Sequence, residues 1–245
     1  MKRPVVLVGG AVALVAVALV AVVVVWRLRS DDPNLLTAAP AIPTSAPAGI
    51  DASPTTAAAT APVSLPSGVR CFVVAAGESS AKFVVEETLR GLDSTAVGTT
   101  TAISGEIYLT KEGLYAGVPS TIKVDLRTLK TDESRRDDVI RDRTLNTSRY
   151  PFAEFVLESV TGFPNDYREG VEIDLTLTGT MKIRDATRPL SFVVKARQAG
   201  NTLSAIADAD FKMTDFDLTP PEFPGFAKAR DPVHLQIVLI AREQA

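Results

Sequence analysis

Three textures of hydrophobic and polar positions follow one another along this 245-residue chain. From Val5 to Trp26 every position is apolar or glycine, mostly Val and Ala with some Leu. As a helix rising about 1.5 Å per residue, roughly 22 residues reach about 33 Å, enough to span the hydrocarbon core of a bilayer. From Ser30 to about Ser67 periodicity vanishes. Pro33, Pro40, Pro43, Pro47, Pro54, Pro62 and Pro66 recur there among Ala, Thr and Ser. Such a segment buries too little apolar surface to offset its ordering entropy, so residues 30–67 are expected to be a disordered tether. From about Gly68 to Ala245 the pattern takes a period of two.

Ile122-Lys123-Val124-Asp125-Leu126-Arg127 alternates apolar with charged, as a half-buried strand does. Ile173 to Thr178 repeats the pattern, and Val233 to Ile237 closes the chain the same way. Phe155 to Glu158 fits less cleanly, since Val156 breaks its polar face. Val69–Ala75, Lys82–Thr88, Thr99–Leu109, Leu190–Arg197 and Thr202–Lys212 are further strands, with Gly, Pro and Asn/Asp in the gaps. About nine strands with one polar face each predict an all-β antiparallel sandwich or barrel. One short helix interrupts them, from a Thr131 cap and an acidic first turn to about Leu145. Its thin apolar content (Val139, Ile140, Leu145) places it over a rim.

Composition then narrows the chemistry. With 26 Lys+Arg against 29 Asp+Glu, there is no basic excess for a nucleic-acid partner. One cysteine, Cys71, excludes an internal disulfide and a cysteine-based zinc site, and next to Phe72 it reads as a small core residue. One histidine, His234, argues against His-cluster metal sites, and alternation puts it on the outer surface. No phosphate loop, nucleophile elbow or zinc-protease motif is present. No catalytic residue, metal ligand or cofactor is therefore assigned. The densest polar cluster, Arg135 to Arg143, has arginines at pairing distance from its aspartates and reads as a salt-bridged helix face. A hydrolase would need Asp137, Asp138 and Glu154 to converge on an open cleft with one carboxyl pKa raised.

The apolar run of residues 5–26 exceeds the roughly 7–15 residues of a cleavable signal, and Trp26-Arg27-Leu28-Arg29 does not resemble a cleavage region. Residues 1–29 are thus expected to be a single-pass anchor in the cell membrane. The Ala/Pro stretch at Thr37–Pro40 leaves cleavage as the alternative. Lys2 and Arg3 oppose Arg27 and Arg29, so the charge bias is slight, and the tether composition favours an extracytoplasmic C-terminal domain.

Two longer stretches carry a resemblance. Ser134-Arg135-Arg136-Asp137-Asp138-Val139-Ile140-Arg141, followed by Arg149-Tyr150-Pro151-Phe152-Ala153-Glu154-Phe155, resembles the signature of the YceI-like family. Leu177 to Leu190 resembles that family's Thr-rich hairpin, Phe83-Val84-Val85 and Gly105-Glu106-Ile107 its first strands, and Asp215-Phe216-Asp217-Leu218 its Asp-Phe-Gly turn. The departures are Val139 where the family often has His, a shorter run to Tyr150, Asp185-Ala186 for Gly-Val, and Asp217 for Gly. The resemblance implies an extended lipocalin-like barrel of about eight strands in residues 68–245, enclosing an apolar tunnel for polyisoprenoid chains, isoprenoid quinones included. The inward, tunnel-lining candidates are Phe83, Val85, Ile107, Leu109, Ile122, Val124, Leu126, Phe155, Leu157, Ile173, Leu175, Leu177, Phe192 and Val194. The implied partners are a long-chain lipid and, through the anchor, the membrane; a homodimer is left open. The alternative is a structural envelope domain with the same barrel filled.

Overall fold

The alternating stretches at 173–178 and 233–237 lie in long strands, whereas the one at 122–127 leaves its strand at Leu126 for a 3-10 turn. A computed structural model describes residues 35–42, 65–164 and 166–244. The expected anchor and most of the tether lie outside the described residues. Among the described residues no helix is long and apolar enough to cross a membrane. The chain divides into units of residues 1–37 and 38–245, and only residues 35–37 of the first are described. The architecture below is that of the second.

Its strands are β1 (Arg70–Val74), β2 (Ser80–Leu89), β3 (Leu92–Thr100), β4 (Ile103–Thr110), β5 (Gly113–Leu114), β6 (Ser120–Asp125), β7 (Phe152–Thr161), β8 (Ile173–Ile183), β9 (Ala186–Ala199), β10 (Thr202–Lys212), β11 (Glu222–Phe223) and β12 (Ala227–Glu243). Every pairing is antiparallel, and the order β1-β4-β6-β7-β8-β9-β10-β12 returns to β1, closing an eight-stranded barrel. Closure removes the sheet edges that would otherwise template association. On the side away from β10, the long β12 serves two partners: residues 241–243 pair with β1, and residues 227–238 pair with the β2–β3 hairpin's first strand. A bulge between Ala229 and Val233 accommodates Pro232, which cannot donate to a ladder.

Residues 126–151 take over on the open side of β3. The Thr99 and Lys130 backbones exchange hydrogen bonds of 2.8 and 3.0 Å, and the Thr100 and Thr128 hydroxyls meet at 2.6 Å. The helix α1 (Ser134–Asp138) follows and widens into a π-helical stretch, Val139–Thr144. Its cap is Glu133, whose carboxylate accepts from the Arg135 N–H at 3.2 Å, and not Thr131. Thr131 instead donates its N–H and its hydroxyl, both at 2.7 Å, to Asp137.

Part of the segment assigned to the tether is seated on the barrel. The Ala39 N–H donates to Glu172 at 3.1 Å, Ser204 Oγ donates to the Pro40 carbonyl at 2.6 Å, and Ala39 is buried. Among the described residues, then, Ala39 and Pro40 behave as an outer strap on the barrel wall. Cys71 is buried, and burial followed by the nearby Glu106 carboxylate pushes its thiol pKa up.

Candidate ligand-binding cavity

An eight-stranded barrel is just wide enough for inward side chains to fill, so its content depends on their size. Here large and small residues share the interior. Phe155 and Phe192 meet edge to face at 4.9 Å between centroids, and Phe211 meets Phe216 at 5.1 Å. Beside them the inner wall carries Ala81, Ala96, Ala153, Ala196, Ala205, Ala207 and Ala229. The small residues leave an internal cavity of about 1000 Å³.

All fourteen residues singled out by alternation line this cavity: Phe83, Val85, Ile107, Leu109, Ile122, Val124, Leu126, Phe155, Leu157, Ile173, Leu175, Leu177, Phe192 and Val194. The structure adds walls that the candidate set lacks, from β10 (Leu203, Ala205, Ala207, Phe211) and β12 (Val233, Leu235, Ile237, Leu239). Their signal was the same alternation, which Val233 to Ile237 displays openly. Two glycines shape the bore. A Cβ at Gly98 would lie 2.1 Å from the Phe83 ring, and one at Gly179 would lie 2.1 Å from the Val156 carbonyl and 2.8 Å from the Phe155 ring.

The two ends differ. At the end reached by the β7–β8 connection, the wall is formed by Leu109, Leu114, Phe163 and Tyr167. Tyr167 is fixed there by donating its hydroxyl to the Gln198 carbonyl at 3.1 Å and accepting from the Gln198 N–H at 2.9 Å. At the helix end the wall includes charged side chains: Glu87, Arg90, Asp132, Glu133, Arg135 and Arg136. Leu92, Phe223 and Phe226 also line that end and remain exposed.

A model of the YceI-like domain matches residues 72–241, well over half of the chain. The chain belongs to the YceI-like family. No curated protein sequence matches it. Two solved structures share its fold. A polyisoprenoid binding domain from Saccharophagus degradans, implicated in plant cell wall breakdown, superposes with a TM-score of 0.57 at 14% identity, over 71% of this chain and 98% of the other. Burkholderia cenocepacia BcnA gives a TM-score of 0.54 at 16% identity, over 68% of this chain and 98% of its own.

Within this YceI-like barrel the three hydrolase carboxylates are each engaged by cations or hydroxyls, with Asp137 and Asp138 sharing Arg141 and Glu154 on Lys123. Asp137 accepts from Thr131, Asp138 pairs with Arg141 at 2.9 Å, and Glu154 faces Lys123 at 3.4 Å on the outside of the sheet. The charged helix face holds one departure from the expected surface network. Arg136 turns inward and pairs with Glu87 at 2.7 Å, while its other terminal nitrogen pairs with Asp132.

The expectation for His234 needs correction. Its side chain does project from the outer face, but it is buried at 5% exposure. Nδ1 lies 2.9 Å from Asp210 and Nε2 3.2 Å from Asp208, which also accepts from Gln236 at 2.8 Å. Burial alone lowers an imidazole pKa, but the two carboxylates outweigh it and raise His234 to about 9. The pattern gave the direction of this side chain. The two aspartates two residues apart on β10 were the overlooked signal.

Proposed function

We propose that this YceI-like barrel binds a long-chain, isoprenoid-type lipid in its cavity and holds it as carrier or store. The observation that supports this most is the hollow apolar bore. The cavity of about 1000 Å³ is lined mostly by apolar side chains. A wall with so few polar groups offers water poor partners, which favours an apolar occupant. An apolar chain gains about 0.8 kcal/mol for each CH₂ it removes from water. That gives affinity without any specific polar contact. The polyisoprenoid named for the Saccharophagus degradans domain is a ligand of this kind.

The deciding experiment is organic extraction of the purified, detergent-solubilised full chain followed by mass spectrometry. A stoichiometric long-chain lipid is expected, and ligand-free protein from several expression hosts would sink the reading. The residue 5–26 run further supports a single-pass anchor, and the Ala/Pro/Thr/Ser composition of residues 30–67 supports a barrel outside the cytoplasm. Protease added to intact spheroplasts should then degrade the barrel. Survival there with cleavage only after lysis would reverse the orientation.

A further inference from the structure

On β2 the inward positions run Ala81, Phe83, Val85, Glu87 and Leu89, all on the cavity wall. Glu87 is thus a carboxylate placed where the pattern calls for an apolar side chain, and it is 7% exposed. A charge is retained in such a place only when it is paired, and here Arg136 Nη2 donates to Glu87 Oε1 at 2.7 Å. Arg136 Nη1 is engaged by Asp132. Both terminal nitrogens of the guanidinium are therefore turned toward carboxylates. The second oxygen of Glu87, Oε2, receives no hydrogen bond from any described residue. Glu87 thus places on the cavity wall, at the helix end, a carboxylate oxygen that no described residue supplies with a donor.

We propose that the Glu87–Arg136 pair is the head-group site of the cavity, and that it takes an uncharged, hydroxyl-bearing head whose tail runs up the bore toward Phe163 and Tyr167. The inference deepens the lipid-binding reading and rests on it. A hydroxyl donates to Glu87 Oε2 and satisfies it. A phosphate or carboxylate head would meet that carboxylate as a like charge, and the Arg136 charge is already offset by Glu87 and Asp132. The rim around the pair supplies no compensating field. Arg90, Arg135 and Arg136 are balanced there by Glu87, Asp132 and Glu133, and Arg90 is stacked over Phe226 at 5.2 Å. An ester-capped head can only accept hydrogen bonds, so it shields Oε2 from water without supplying a donor.

The test compares three probes that share one tail: geranylgeraniol, its acetate and its monophosphate, each titrated into delipidated full-length protein. The alcohol is expected to bind at least tenfold tighter than either of the others. In Glu87→Gln the phosphate should recover most of its deficit, because the like charge is gone. The wild-type ranking decides the matter even if that variant folds poorly. Equal binding of all three, or any other ranking, overturns the head-group assignment and leaves lipid binding standing. Binding of none overturns both.

Discussion

Gly98 shows how much rests on single atoms in this bore. Its backbone is unstrained, so space alone forbids a side chain: the Phe83 ring already lies where a Cβ would be. Gly98→Ala should push that ring into the bore, lower stability by about 1–3 kcal/mol in denaturant titration, and reduce lipid content in the same samples. Asp217 makes the opposite case. It sits at φ 56°, in the left-handed region, where the family turn has glycine. Asp tolerates that region better than most residues, and an Arg188 pair at 3.2 Å accompanies it. At His234 the sign of the pH effect follows from the raised pKa. The folded value, about 9, lies above the ordinary value of about 6.5. The pairing with Asp208 and Asp210 therefore contributes fully below about pH 6.5 and is lost as pH rises through about 9. Val84, opposite His234 on β2, adds no charge to this balance. Thermal melting should fall across that window, and His234→Asn should flatten the profile. An unchanged slope in the variant would assign the effect to other groups.

The elements that alternation reveals most clearly are those with one wet and one apolar face, such as β6 and β8. Where the structure departs from the pattern, the cause is local. In β7 the register shifts between Leu157 and Ser159, so Leu157 and Val160 both line the cavity three residues apart. The bulge ends the period of two after Leu157, while the misfit within 155–158 comes from the apolar Val156 on the outer face. All of β3 before Thr99 is missed, and the expected Thr99–Leu109 strand joins its last two residues to β4, because β3 borders the open side of the sheet. Leu92, Asp93 and Thr95 are exposed, leaving little alternation to see. The helix is legible from its charges, but the widened turns of Val139–Thr144 are not. Asp137 anchors that element by accepting twice from Thr131. Removing an acceptor of this kind leaves a donor unpaired, so Asp137→Ala should cost about 1–3 kcal/mol. Asp137→Asn keeps one acceptor and should cost less. Calorimetry of the three proteins checks the order, and a reversed order would remove Asp137 from this role.

At the scale of the whole molecule, alternation separates two faces of each strand but does not say whether the inner face encloses packing or space. That difference lies in the alanines and glycines that face one another only once the ring is closed, Ala81, Ala96, Gly98, Ala205 and Ala207 among them. The distinction can be measured with tryptophan substitutions. Val124 and Leu175 line the bore on β6 and β8, well apart from the Glu87–Arg136 pair in sequence. If a lipid fills the cavity, Val124→Trp or Leu175→Trp should displace it while leaving the ligand-free barrel folded, since the indole enters space and not atoms. In a packed interior the same substitutions would overpack and cost about 1–3 kcal/mol. Outward controls must share the strands without sharing the bore. Thr176 serves on β8, where it pairs with the exposed Val193. On β6 Lys123 serves better than Asp125, because Asp125 caps the following turn through Arg127 at 3.0 Å. Thr176→Trp and Lys123→Trp should therefore leave lipid content unchanged. Equal lipid content in the inward and outward variants would show that the ligand, if present, lies elsewhere than in the bore.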